Sequence, residues 1–310
     1  MTKLHLYQVR ITGDELRHLI ANSFALEHLE LSVCHEIICL NIPHWLVRLR
    51  YLQVFRCKML QVVECTAPNL STFHLFGDPV QLTLCESSKV KNVNVGFSDE
   101  FSIICYAINK FPSIVPNLET LTISSAHERV NTPVVADKFL HLKYLKISLR
   151  FYDENSLPNY DYLSLASFLD ASPVLETFIL SVNQAEMKHD SVLEDAYHTR
   201  HIRQRKHERL SEVQINGFCS AKSIVDLTCH ILENATSLES LTVDTIFNLK
   251  ADGNISRCSG QKSGECRRLD RNMILEAHKA LCVIRTYILK RVPPTVEFNV
   301  GEPCSRCHAL

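Results

Sequence analysis

Taken as a string of apolar and polar positions, the chain repeats one short figure. An apolar residue is followed by a second three positions on and a third two positions after that. The figure is complete at Leu26-Glu-His-Leu29-Glu-Leu31-Ser-Val-Cys34, at Leu49-Arg-Tyr-Leu52-Gln-Val54-Phe-Arg-Cys57 and at Leu175-Glu-Thr-Phe178-Ile-Leu180-Ser-Val-Asn183. Looser copies are Met1/Leu4/Leu6, Leu70/Phe73/Leu75, Val90/Val93/Val95, Leu118/Leu121/Ile123, Leu142/Leu145/Ile147, Leu210/Val213/Ile215 and Leu238/Leu241/Val243. The last two anchors of each copy are two apart, so both face one side of a strand. A helix, with a period of 3.6, would not hold this spacing between polar turns. One copy cannot bury three anchors by itself, whereas stacked copies bury them in a continuous ladder and line up their strands as a parallel sheet.

The segments between strands predict the other side of the stack. Short amphipathic helices are expected at 13–20, with Asp14 as the cap, at 161–169 and at 223–232. Residues 150–168 and 184–207 lengthen their coils as insertions. Beyond the tenth copy, residues 249–269 are polar and Gly/Ser-rich and predict a flexible loop. A helix is then expected from Asp270 to about Arg291, with Ile274, Ala277, Leu281, Ile284 and Ile288 on its apolar stripe. Pro293-Pro294 ends it, and 295–300 alternate like an edge strand. The expected division is a solenoid over 1–248, a loop over 249–269, a capping helix and strand over 270–300, and a tail over 301–310.

An L-x-x-L-x-L-x-x-N/C figure recurring every 20–29 residues is the leucine-rich-repeat signature. The expected fold is therefore an α/β leucine-rich-repeat solenoid, with a curved parallel sheet on the concave face, an irregular or helical convex face and a C-terminal helix-strand cap. FPSIVPNLETLTISSA (111–126), KFLHLKYLKISL (138–149), SFLDASPVLETFILSV (167–182), the stretch 207–244 and the tail AHKALCVIRTYILKRVPPTVEFNV (277–300) resemble the C-terminal repeat region of plant, especially grass, F-box/LRR-repeat proteins. The resemblance implies a non-catalytic recognition module, the substrate-binding part of a receptor in an SCF-type ubiquitin ligase. Docking on a Skp-type adaptor is implied only if an F-box is supplied upstream. Met1 falls on the first anchor and no F-box precedes it, so a fragment or truncated product of a longer protein is expected. The alternative is a standalone repeat protein without a ligase role, a truncated paralogue or competitor of full-length relatives.

Composition narrows the function. Lys+Arg total 33 against Asp+Glu 34, so there is no basic excess for nucleic acid. Only 8 of 310 residues are Gly, which speaks against phosphate-cradling loops, and no hydrolase elbow, nucleotide loop or H-E-x-x-H pair occurs. No enzyme, cofactor or membrane association is expected. The 13 Cys are odd in number and irregularly spaced, which suits free thiols in a reducing compartment, cytoplasmic or nuclear. Cys304-Ser-Arg-Cys307-His308 is formally a haem string without a pocket around it. A four-thiolate zinc site from Cys258, Cys266, Cys304 and Cys307 is the other formal possibility, but only the last pair has the usual short spacing. The expectation is no metal. The basic run 198–209 is read as a solvated loop rather than an import signal or acidic-partner patch.

What remains is the row between the last two anchors, aimed at any bound partner: His5, Glu30, Gln53, His74, Asn94, Thr122, Lys146, Ile179, Gln214 and Thr242. A flanking row holds His28, Tyr51, Thr72, Thr120, Tyr144 and Glu212. The rows are polar, near-neutral and lightly aromatic, as a surface for a protein partner would be. Glu30, Tyr51, Gln53, His74, Thr122, Tyr144, Lys146 and Gln214 are the candidate contact residues.

Overall fold

The computed structural model describes residues 1–84, 89–97, 102–126, 128, 137–150, 160–183, 189–194, 197–200, 205–247, 266, 269 and 271–309. Its strands are β1 (Lys3–Tyr7), β2 (His28–Ser32), β3 (Cys39–Ile42), β4 (Tyr51–Phe55), β5 (Val62–Cys65), β6 (Thr72–Gly77), β7 (Gln81–Leu84), β8 (Asn92–Phe97), β9 (Thr120–Ser125), β10 (Tyr144–Leu149), β11 (Thr177–Val182), β12 (Glu212–Asn216), β13 (Ser240–Asp244) and β14 (Glu297–Gly301). An 11-stranded sheet runs β1-β2-β4-β6-β8-β9-β10-β11-β12-β13-β14, and β3-β5-β7 form a second, 3-stranded sheet. The chain is a leucine-rich-repeat solenoid, with the large sheet on its concave face.

The register explains the stack. Leu29 sits beside Leu4 and Leu52, and Leu31 beside Leu6 and Val54, and the same two positions match strand after strand to Phe298 and Val300. First anchors such as Leu26, Leu49, Leu118 and Leu142 enter this ladder from the preceding turn and are buried. Each anchor is dry only because its neighbours in the adjacent coils cover it. At the sheet's first edge Leu4 and Leu6 are only partly buried, although packed on the core. The Cys at the end of the figure also has a role. The Cys34 thiol donates to Leu6 O and Ser32 O at 3.6 Å, and Cys57 repeats the geometry one coil later with Leu31 O at 3.9 Å and Phe55 O at 3.8 Å. These weak donors stitch each corner to the coil before it.

After β1, β2 and β4 the chain leaves the concave sheet through a left-handed residue. Gln8, Val33 and Arg56 have φ of 53°, 59° and 51°. Their N–H groups donate onward to Ser32 O, Phe55 O and Phe76 O at 2.9, 2.8 and 2.6 Å. The equivalent corner after β12 is Gly217, φ 74°, where a Cβ would lie 2.0 Å from Val182 O; only glycine fits.

The convex side changes character along the stack. The early coils close with β3, β5 and β7, whose alternate residues Leu40 and Ile42, Val63 and Cys65, Leu82 and Leu84 face the core. Such four-residue strands leave almost no periodic trace in the sequence. Helices α1 (Gly13–Ile20), α2 (Ile103–Ile114), α3 (Ala166–Ala171, after a 3-10 turn at Tyr162–Leu165) and α4 (Lys222–Asn234) cover other coils. The cap of α1 is Thr12, not Asp14: Thr12 and Glu15 form a reciprocal capping box. Helix α2 is not among the expected helices, although Ile103, Ile104, Ala107, Ile108 and Phe111 recur at helical spacing and form its buried face; Pro112 lies in its last turn. Buried Glu128 accepts from Ser102 Oγ, from Ser125 Oγ at 3.0 Å and from Ile104 N at 3.4 Å, and so closes the start of α2.

The two expected insertions also belong partly to the core. Tyr162, Leu165 and Phe168 are buried, so the second half of 150–168 is a convex layer. In 184–207, Val192 is buried and Tyr197 packs edge-on to Tyr287 with ring centroids 5.1 Å apart. Nor is the basic run simply solvated. Buried Asp226 accepts from Tyr197 Oη (2.6 Å), Arg200 N (2.9 Å) and Arg200 Nε (2.8 Å), while Arg200 also bonds Asp161 at 2.7 and 3.1 Å. Further along the run, His207 is buried against His230.

The cap follows the expected course with a change of winding. Helix α5 (Arg271–Val283) passes into a π turn at Ile284–Ile288 and a 3-10 turn at Leu289–Arg291. Its buried stripe starts at Met273 rather than Ile274, then keeps Ala277, Leu281, Ile284 and Ile288. β14 pairs in parallel with β13. The expected loop 249–269 lies outside the described residues apart from Cys266 and Leu269. Among the described residues no helix is long and apolar enough to cross a membrane.

Two predictions follow from this packing. Phe178→Ala empties a fully buried site in the ladder and is expected to cost about 3–5 kcal/mol, read from urea unfolding. The second concerns pH. Burial, reinforced by His230, holds His207 down at about 4, against roughly 6.5 in an unfolded chain. The unfolded chain therefore takes up a proton first as pH falls between those values, and stability drops across that window. Burial pushes Glu128 up to about 7, against its three hydrogen bonds; its contribution is full below the unfolded value near 4.5 and is lost as pH rises through 7. Relative to the parent chain, His207→Gln should gain stability as pH falls from about 6.5 to about 4. Glu128→Gln should gain as pH rises through 7.

Candidate functional site

Strand alternation places three rows of side chains on the concave face. The middle row runs in register His5, Glu30, Gln53, His74, Asn94, Thr122, Lys146, Ile179, Gln214 and Thr242, and ends at Asn299 of β14. The flanking row runs from Lys3 through His28, Tyr51, Thr72, Asn92, Thr120, Tyr144, Thr177, Glu212 and Ser240 to Glu297. All eight candidate residues stand on these two rows, and each is half-buried.

The structure gathers four of them. On β2, β4 and β6, Tyr51 Oη donates to Gln53 Oε1 at 2.7 Å and lies 3.1 Å from His74 Nδ1. A hydroxyl has one proton, so with Gln53 accepting it, His74 Nδ1–H is the donor to Tyr51 Oη. That tautomer leaves His74 Nε2 as an acceptor. The Tyr51 ring stands between His28 and His74, with centroid distances of 5.4 and 5.0 Å. Glu30 completes the group, 4.0 Å from His5 Nδ1. Burial, assisted by Glu30, raises the Tyr51 phenol, while burial lowers the His74 imidazole against the pull of Glu30. The cluster is thus a neutral, hydrogen-bonded aromatic platform beside one carboxylate.

The other four candidates are spread over three later strands. Thr122 on β9 lies directly beside Lys146 on β10, which also carries Tyr144. Gln214 on β12 is separated from Lys146 by Ile179. Burial and Glu212 raise the Tyr144 phenol. Gln214 Nε2 donates to Asn216 Oδ1 at 2.9 Å, and Asn216 Nδ2 to Ser181 Oγ at 3.1 Å, a chain that fixes the Gln214 amide.

A third row lies one step beyond the two expected ones. Continuing the alternation past the last anchor yields a third row, Tyr7, Ser32, Phe55, Phe76, Gly96, Ser124, Ser148, Ser181, Asn216 and Asp244. Phe55 and Phe76 pack at 6.0 Å between centroids, with the Arg56 guanidinium 5.2 Å from the Phe55 centroid. A Cβ at Gly96 would lie 2.9 Å from the Phe76 ring, so this glycine makes room for it. The aromatic content of the face is therefore concentrated at its N-terminal end.

Two groups of metal-type ligand atoms occur among the described residues: Cys266, Cys304 and Cys307, and His189, Cys219 and Glu276. In the second group the carboxylate is already engaged. Glu276 Oε1 accepts from Ser220 N at 2.6 Å and lies 3.3 Å from His189 Nε2. Burial pushes Glu276 upward, but His189 and Ser220 outweigh it and hold it at about 2. Burial and Glu276 lift the Cys219 thiol to about 12, so it keeps its proton. This is a polar knot joining three segments.

A family model described as At1g61320/AtMIF1, LRR domain, matches residues 1–305. No curated protein and no solved structure matches the chain.

The Glu30 carboxylate raises both the Tyr51 phenol and the His74 imidazole. Glu30→Gln is therefore expected to move the titrations of the Tyr51 phenol and the His74 imidazole to lower pH together. NMR of the two rings measures both shifts; an unmoved His74 would contradict the geometry.

Proposed function

Because the chain belongs to the At1g61320/AtMIF1 leucine-rich-repeat domain family, we propose that its concave face binds a protein partner and performs no chemistry of its own. The observation that carries this reading is the preorganised row of half-buried polar and aromatic side chains at Glu30, Tyr51, Gln53 and His74. The hydrogen bonds joining Tyr51, Gln53 and His74 limit the rotamer freedom that association would otherwise remove. Tyr and His on a rigid sheet offer large contact areas with polar edges, and Phe55 and Phe76 extend the apolar ground beside them. Tyr144, Lys146, Thr122 and Gln214 would give a second, more polar contact region several strands away. The mixed charge of the face suits a protein better than a phosphate backbone.

The finer reading is that this face is the substrate-recognition region of an F-box receptor in an SCF-type ubiquitin ligase. The stretches resembling plant F-box/LRR-repeat proteins support it. On that reading an F-box joined upstream supplies the contact with a Skp-type adaptor, and the repeats select what is brought to the ligase.

Affinity capture with mass spectrometry, using variants on the two faces, tests both levels. Tyr51→Ala with His74→Ala should lose captured partners with little change in thermal stability. Met59→Ala, at a residue 51% exposed in the turn between β4 and β5, should retain them. Equal capture by both variants would end the concave-face reading. A version carrying an upstream F-box should add the Skp-type adaptor and ubiquitin transfer to the same partners. Partners captured without adaptor in both versions would instead favour a standalone binding module.

A further inference from the structure

We propose that Cys266, Cys304 and Cys307 form a zinc site that clasps the C-terminal segment to the end of the solenoid. The three sulfurs come from two parts of the chain far apart in sequence, yet all lie within 4.8 Å of one another. A tetrahedral zinc with bonds of about 2.3 Å holds its sulfurs about 3.8 Å apart. No sulfur pair exceeds that separation by more than about 1 Å, which side-chain rotation can close.

Backbone hydrogen bonds and His308 frame the two C-terminal thiols. β14 ends at Gly301, whose carbonyl accepts from Thr245 N at 3.0 Å and from Thr245 Oγ1 at 2.8 Å. Glu302 lies 3.6 Å from Arg285 on the π turn that continues α5. The chain then turns tightly: His308 N donates to Cys304 O at 2.9 Å, and Cys304 N donates back to His308 Nδ1 at 3.2 Å. The His308 ring is 3% exposed, and its carbonyl lies 3.2 Å from His278 Nε2 on α5. The turn sets Cys304 and Cys307 on one side of a loop already fastened to the cap helix, where Cys266 meets them. His308 is a supporting residue, because its Nδ1 is engaged by the Cys304 amide.

Ligand chemistry selects the metal. Three thiolates close together repel one another unless a cation neutralises them, and soft sulfur with tetrahedral spacing favours zinc among the available divalent ions. Each thiol releases its proton on ligation, so affinity rises with pH. Three protein sulfurs leave one position for water or another donor. Cys258, the fourth thiol considered from sequence, lies outside the described residues. The His189, Cys219 and Glu276 group is a poorer site, because its carboxylate is already bonded and its thiol is held protonated.

The test uses the full chain, produced in zinc-supplemented medium and purified under reducing conditions. Metal analysis should find one equivalent of zinc. Cys304→Ser with Cys307→Ser should reduce it to background while the circular dichroism spectrum keeps its shape, and Cys282→Ser, at an exposed thiol of α5 outside the cluster, should retain it. If the double variant fails to fold, alkylation mapping of the unaltered chain decides. Zinc should then protect Cys266, Cys304 and Cys307 from alkylation, and a chelator should remove that protection. A reduced chain without zinc, zinc that persists in the folded double variant, or alkylation indifferent to zinc would each overturn the proposal.

Discussion

The structure depends on a single constraint: two apolar side chains per strand, two residues apart, must meet their counterparts in the coil on either side. Parallel register enforces this from Leu4 and Leu6 to Phe298 and Val300. A one-residue slip in any strand would turn both anchors outward. The same rule positions the open face, because side chains that are not anchors must point the other way. The rows carrying Glu30, Tyr51, Gln53 and His74 are thus a by-product of core packing, and their spacing follows that of the strands. Recognition built on such a sheet inherits the rigidity of the core, which is why the Tyr51 hydrogen bonds can persist on a solvent-facing surface.

The anchors were legible because they obey a spacing that only a strand with a preceding turn satisfies. All eight candidate residues follow from the same spacing, and the structure sets them on the expected rows. What escaped was set by tertiary context. β3, β5 and β7 are too short to show alternation. Helix α2 does carry helical spacing at Ile103, Ile104, Ala107, Ile108 and Phe111, but its start lacks a local cap and is closed instead by Glu128, 24 residues from Ile104. Asp14 resembles a cap as much as Thr12 does; the reciprocal bond with Glu15 decides between them. Arg200 and His207 read as solvated basic residues because Asp226 and His230, the groups that engage them, lie in the next coil. Phe55 and Phe76 lie beyond the last anchor of their copies, where the repeat figure no longer specifies which side chains face the concave side.

The polar contacts within the core have a common arrangement. Asp226 joins Tyr197 and Arg200, Glu276 joins His189 and Ser220, and Glu128 joins Ser102, Ser125 and the start of α2. In each case a largely buried carboxylate accepts several donors from segments that the repeat pattern leaves irregular. Hydrophobic ladders align the coils, and these acceptors fix how the longer connections lie against them. A carboxylate with its donors already in place loses more on mutation than an exposed ion pair such as Lys91–Glu119.

The exchange of a thin strand layer for helices behind the sheet has a mechanical result. Where β3, β5 and β7 back the concave strands, both sides of the stack advance by about 4.8 Å per coil. A helix needs about 10 Å of width, so coils closed by helices are wedge-shaped, like the stones of an arch. These widths predict a nearly straight stack beneath the aromatic platform and a more strongly bent one beneath Tyr144, Lys146 and Gln214. On the proposed reading, a ligand on this face would meet a flatter landing at one end and a more cupped hold at the other.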